Sequence, residues 1–193
     1  MTPHELDYWI LHHVMEAHKD DKFGDFNYVA GHLMVVEGFV RNAITKCHNA
    51  NAKGALPIIS AAALAHDFKE DHPEYWEEHK IARTLGPLCV SWIDECTDDQ
   101  GTARVLRKER QLRRITVATE DRYSEIALII KCGDWYSHMM PWGKPSMLPP
   151  SIEHAKKATK AIHMRLKRHR SAQDEVALRY AAMGLDNALR GMK

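Results

Sequence analysis

An all-α fold is predicted by three features of this sequence. Apolar residues recur with a period near 3.6, alternating strand patterns are nearly absent, and the breaks between periodic segments fall on Gly, Pro and Asp clusters. A first helix fits about residues 4 to 19, with Leu6, Trp9, Ile10, His13, Val14 and Ala17 on one stripe. The segment "DDKFGDFN" breaks it, and a second helix begins near Ala30 with Leu33, Val36, Val40 and Ile44. "HNANAKGALP" reads as a loop in which Pro57 suits a helix start, and a helix runs from Ile58 through Ala61 to Ala63 towards His66 and Asp71. Pro73 opens a short helix ending near Leu85 and Gly86, where Gly86 and Pro87 supply a stop and a restart before a helix over Leu88 to Glu95. "TDDQGT" is a turn, Arg104 to Thr116 a strongly basic helix, and 123 to 140 a further apolar helix.

The domain organisation expected from this pass is a core over 1–140, a Pro-rich linker over 141–150 ("PWGKPSMLPP"), and a C-terminal extension over 151–193. The extension holds two helices, about 151 to 169 and 172 to 190, packed on the core.

With 27 basic and 26 acidic side chains, nothing at the level of the whole chain demands a nucleic-acid or membrane partner. The basic face of "SIEHAKKATKAIHMRLKRHR" is read as a packed helix with its Lys and Arg in water, so nucleic acid is not an expected partner. Homo-oligomerisation is left open. Cys47, Cys89, Cys96 and Cys132 contain no C-x-x-C pair, and two of them sit in apolar runs, which favours a reducing, cytoplasmic setting. No apolar leader and no membrane-length run is found, so no membrane partner is expected.

The chemistry concentrates in "AHDFKEDH" at 65–72, six ionisable side chains in eight residues directly after an apolar run. On a continuous helix His66 shares a face with Glu70, and Asp67 with Asp71. Charge leaving a buried helix must be paired or bound to metal. Two partners stand out: His32, near the start of an apolar helix, and Asp134, after a largely apolar stretch. Imidazole mixed with carboxylate oxygens suits Mn²⁺, Fe²⁺ or a similar octahedral ion better than a closed structural zinc site.

In that order, His32, His66-Asp67 and Asp134, the chain resembles the metal-dependent phosphohydrolases of the HD-domain superfamily. It looks most like the hydrolase domain of RelA/SpoT enzymes and the small stand-alone alarmone hydrolases. The resemblance covers about residues 9 to 140. It includes "AHK" at 17–19, "GHLMVV" at 31–36, "ALAHDFKED" at 63–71, "LGPLCV" at 85–90, "CTDD" at 96–99, "RKER" at 107–110 and "LIIKCGDWYSHM" at 128–139.

It implies an HD-domain helical bundle, here with two additional C-terminal helices, and a Mn²⁺ or another divalent transition metal held by His32, His66, Asp67 and Asp134. Glu70 and Asp71 would orient or deprotonate water. Lys22, Lys131, His138 and Arg110 would bind the nucleotide, with Arg107, Lys108, Arg113 and Arg114 on the same basic helix as Arg110. The implied reaction removes the 3′-diphosphate of guanosine tetra- and pentaphosphate. The chain departs from the family where Phe23 stands beside Lys22, where Tyr28 is displaced by one position, where Leu33 replaces a Pro, and where His138 replaces an Asn. These positions line the nucleotide side of the pocket. Two alternatives therefore stay open: hydrolysis of another nucleotide (an adenosine alarmone, a deoxynucleotide or the 2′-phosphate of NADPH) and a catalytically silent nucleotide-binding protein.

Overall fold

The computed structural model describes residues 1–46, 53–97, 106, 122–143, 145–168 and 176–192. It is all-α apart from one minimal hairpin. Helix α1 (Pro3–Ala17) opens with a capping box, in which the Thr2 hydroxyl accepts from the Glu5 N–H and the Glu5 carboxylate accepts from the Thr2 N–H. The segment expected as a plain break then folds into strands β1 (Lys22–Phe23) and β2 (Phe26–Asn27), antiparallel, with Phe23 paired to Phe26. Gly24, at φ +61°, supplies the left-handed residue that the turn needs.

A π-helical turn, Val29–Leu33, leads into α2 (Met34–Lys46), and its widened ladder is seen in the Met34 N–H bonding to the Val29 carbonyl. Helix α3 (Leu56–Leu64) is apolar apart from Ser60, which bonds to Glu37 and Arg41. Ala61, Ala62 and Ala63 are each fully buried, and such small side chains let α1, α2 and α6 close on it from three sides.

The expectation of one helix from Ile58 to Asp71 is corrected. Helix α3 stops at Leu64, Ala65 caps it at φ −100° and ψ 6°, and a separate short helix α4 (Phe68–Asp71) starts with Asp67 at its N-cap. The physical reason lies in the end of α3. His66 donates from Nδ1 to the Ala63 carbonyl at 2.9 Å, satisfying one of the acceptors that a helix end leaves open. His66 and Asp67 are therefore presented by a tight turn, not stacked on Glu70 and Asp71 at helical spacing.

A second correction concerns 73–85. Helix α5 (Pro73–Glu78) ends early, Lys80 adopts φ 51°, and α6 (Ile81–Cys96) begins directly after it. Within α6 the expected stop and restart is present as a kink at Gly86, φ 77°. Residues 98–105 and 107–121 lie outside the described residues, and with them the rest of the "TDDQGT" turn and the basic residues Arg107, Lys108, Arg110, Arg113 and Arg114.

Helix α7 (Arg122–His138) runs through the middle of the bundle against α2 and α6. A Cβ on Gly133 would sit 3.1 Å from both the side chain and the carbonyl of Val36, tighter than ordinary contact, so glycine favours the close approach of α2 and α7. That approach brings Asp134, the next residue, towards the π turn that carries His32. After a 3₁₀ turn (Pro145–Met147), α8 (Leu148–Arg168) starts inside the expected linker, with Pro149 and Pro150 in its first turn where no backbone donor is lost. Helix α9 (Val176–Gly191) packs on α2, α7 and α8, and Leu178, Ala181, Ala182 and Leu185 bury completely. Among the described residues no helix is long and apolar enough to cross a membrane.

Candidate metal centre

The four residues expected as ligands are brought together. His32 comes from the π turn, His66 and Asp67 from the turn between α3 and α4, and Asp134 from α7. His32 Nε2 lies 3.0 Å from Asp67 Oδ2 and 3.8 Å from Asp134 Oδ1, and His66 Nε2 lies 3.1 Å from the same Asp67 oxygen. Both imidazoles are fully buried.

Hydrogen bonding fixes what these nitrogens present to one another. The Ser137 hydroxyl gives its single proton to the Asp134 carbonyl at 2.7 Å, so at 2.6 Å it accepts from His32 Nδ1–H. His66 Nδ1 faces the Ala63 carbonyl, which can only accept. In the neutral tautomers each Nε2 then turns a bare lone pair towards Asp67 Oδ2. Nε2 of His66 is buried and makes no aligned hydrogen bond although that oxygen is near.

Charge points the same way. Burial alone would raise the carboxyl of Asp67, but the imidazoles of His66 and His32 outweigh it and hold the group well below the usual range. Asp134 is likewise pushed up by burial and held down by Lys131 and His138. Burial drives His32 below the ordinary histidine value despite the pull of Asp67, so a lone proton fills the gap between them poorly. In His66 burial also works downward, and there the Asp67 and Asp134 carboxylates prevail and raise it. Two buried carboxylates face one buried ammonium, Lys131, whose Nζ is 2.7 Å from Asp134 Oδ2. With both imidazoles in their neutral tautomers one negative charge is left over in a buried centre, and converging lone pairs with that charge fit a divalent cation.

Other expected residues fall at different depths. His138 places Nε2 3.2 Å from Asp134 Oδ1, and His32, Asp134 and His138 form a second ligand-capable group sharing His32 with the first. Lys131 is buried against Asp134, and Lys22 is exposed on the hairpin. Asp71 is exposed as a residue, yet lost solvation, followed by the charges of Asp67 and Glu70, pushes its carboxyl up to about 7. Arg110 lies outside the described residues.

Ser137 is a neighbour that the pattern of the sequence did not single out, and Tyr28, expected on the nucleotide side of the pocket, lies with its hydroxyl against the Asp67 carboxylate. The Tyr28 hydroxyl donates to Asp67 Oδ2 at 2.9 Å, and burial together with Asp67 keeps it protonated. Phe23 closes the far wall, its ring 4.8 Å from that of His32 and 5.1 Å from that of His138.

A cavity of about 140 Å³ opens beside Asp134 and His138, walled by Trp135, Ser146, Ser151 and His154. A larger one of about 520 Å³, between α2, α7 and α9, is lined by Phe39, Asn42, Tyr136, Tyr180 and Asn187. The larger cavity is lined by no carboxylate or imidazole, whereas the smaller is lined by Asp134, His138 and His154.

A third group, His18, Asp21 and His72, also brings ligand atoms together. Burial depresses His18 to about 4, only partly offset by its bond to Asp21. No protein-family model matches the chain, and no curated protein matches it.

Proposed function

We propose that this chain is a divalent-metal-dependent phosphohydrolase, and that the reaction it fits best is removal of the 3′-diphosphate from guanosine tetra- or pentaphosphate. The observation that carries the reading is the pair of buried imidazoles, His32 and His66, each pinned at Nδ1 and each turning Nε2 towards Asp67. Together with Asp134 these residues would hold the cation, and His138 is placed to join them. A cation bound there supplies Lewis acidity, polarising a phosphoryl oxygen and making water a better nucleophile at neutral pH.

The remaining steps belong to the chain's own groups. Asp71, held near 7, can take a proton from water and return it within the ordinary pH range, and Glu70 lies beside it to share that task. Tyr28 keeps the Asp67 carboxylate oriented through its hydroxyl. Lys131 balances the charge of Asp134. The cavity of about 140 Å³ beside Asp134 is large enough for a phosphate group and too small for a whole nucleotide, so base and ribose would rest outside it.

A second reading changes only the substrate. Phe23 and His138 form an aromatic wall against the metal-binding histidines, and this favours testing other phosphorylated nucleotides alongside the guanosine ones. The deciding experiment is phosphate and pyrophosphate release from a panel of guanosine and adenosine polyphosphates, deoxynucleotides and NADPH, with added Mn²⁺. Release of pyrophosphate from guanosine tetraphosphate by the native chain, abolished in Asp67→Ala, is expected. Turnover confined to another member of the panel selects the second reading, and no turnover of any of them, with the metal bound, leaves a binding protein.

A further inference from the structure

Against the ring of Tyr28, whose hydroxyl reaches Asp67, three side chains meet with their ligand atoms almost in contact. His18 Nδ1 is 2.8 Å from Asp21 Oδ2, His72 Nε2 is 2.8 Å from the same oxygen, and the two nitrogens are 3.1 Å apart. We propose that His18, Asp21 and His72 form a second divalent-cation site, distinct from the centre at Asp67, which takes a transition ion of the zinc, cobalt or ferrous class.

The triangle has the dimensions of a coordination face. Ligands bound at about 2.1 Å in octahedral geometry stand about 3.0 Å from their neighbours, and all three edges here fall near that value. Two imidazoles with one carboxylate form a donor set that first-row transition ions favour over magnesium or calcium.

Hydrogen bonds alone satisfy the cluster badly. If both nitrogens donated to the one oxygen, their hydrogens would stand only about 2 Å apart. If only one of them donates there, the other ring turns an unprotonated nitrogen lone pair towards the carboxylate oxygen at 2.8 Å, and a cation relieves both arrangements.

The backbone holds the three ligands in place. His18 caps α1 through its N–H to the Val14 carbonyl, and the Asp21 N–H returns to the His18 carbonyl, so one turn fixes two ligands. His72 sits at the junction of α4 and α5, its N–H on the Phe68 carbonyl. The side chains of Asp21 and His72 are 40% and 25% exposed, which leaves the remaining coordination positions open to solvent. Such a site exchanges its ion more readily than a closed four-ligand zinc site does.

Separation from the first centre is structural as well as chemical. The Tyr28 ring stacks on His18 at 4.8 Å and 15°, while its hydroxyl reaches Asp67, so the two groups share no ligand atom. A cation at this position would tie the end of α1 to the residue following Asp71, ordering the short α4 helix that carries Glu70 and Asp71. The inference does not depend on the hydrolase reading, because it concerns ion uptake alone.

The test is metal stoichiometry on tag-free chain, stripped with EDTA and titrated with Co²⁺, followed by visible absorption and by elemental analysis after dialysis. The native chain is expected to retain one equivalent more than Asp21→Ala, and Asp67→Ala is expected to keep the Asp21-dependent equivalent. Asp21 is partly exposed, so its variant should fold, which far-ultraviolet circular dichroism checks, and His72→Gln repeats the measurement from the other side of the cluster. Equal uptake by the native chain and by both folded variants overturns the proposal.

Discussion

His32 Nδ1 lies 2.6 Å from the Ser137 hydroxyl, 105 residues further along the chain, and its Nε2 lies 3.0 Å from Asp67 Oδ2. The first contact sets the second. Because Ser137 spends its own proton on the Asp134 carbonyl, it can only accept from His32, and the imidazole is left with Nε2 free to bind a cation. Partners of this kind typically change metal affinity by about 10- to 100-fold when removed. Ser137→Ala is therefore expected to weaken Mn²⁺ binding by roughly that factor while leaving the helical content intact. A calorimetric Mn²⁺ titration checks it, and an unchanged affinity would show that Ser137 does not choose the tautomer.

How much of this was legible in the sequence divides along a physical line. His32, His66, Asp67 and Asp134 could be named because a polar residue inside an apolar helical pattern stands out against it, and all four converge. The turn at 65–67 could not, because "AAALAHDFKED" has helical propensity throughout, and what ends α3 is a bond from the His66 ring to a carbonyl. Ser137 was out of reach, and Tyr28, expected on the nucleotide side of the pocket, could not be foreseen on Asp67. Their bonds cross 105 and 39 residues and leave no local trace. His18 and Asp21 stand three apart, which a reader of spacing can see, but His72 joins them from 51 residues beyond Asp21. The hairpin at Lys22–Asn27 is too short for any period-two pattern to register.

Lys131 and Asp134 form a buried pair, with side chains 3% and 10% exposed. Burial pushes the Lys131 ammonium towards neutrality, but Asp134 and then Asp67 outweigh it and keep it charged. Lys131→Met keeps the length of the side chain and removes the charge, leaving two buried carboxylates with no ammonium between them. Breaking such a pair from one side typically destabilises by about 3–5 kcal/mol. In EDTA the variant is expected to lose stability on that order. A cation at the centre restores part of the missing positive charge, so saturating Mn²⁺ should narrow the gap between variant and native chain in urea unfolding. A gap that stays the same with and without the metal would place the cation away from Asp134.

His18 gives the clearest dependence of stability on pH. Its side chain is fully buried, and burial lowers it from the ordinary histidine value of 6.5 to about 4. Between those values the unfolded chain carries a proton here that the folded chain refuses, so stability falls as the pH drops from 6.5 towards 4. Above that window neither state is protonated, and the contribution is flat. The full span corresponds to a loss on the order of 3 kcal/mol. His32 is also depressed by burial and adds to the same acid slope, whereas His66 is raised and opposes it. The difference between the native chain and His18→Gln isolates one residue from this background. In EDTA, urea unfolding at a series of pH values should show the native chain losing stability relative to His18→Gln on acidification. Parallel curves across that range would mean that His18 takes up its proton in the folded state as readily as in the unfolded one.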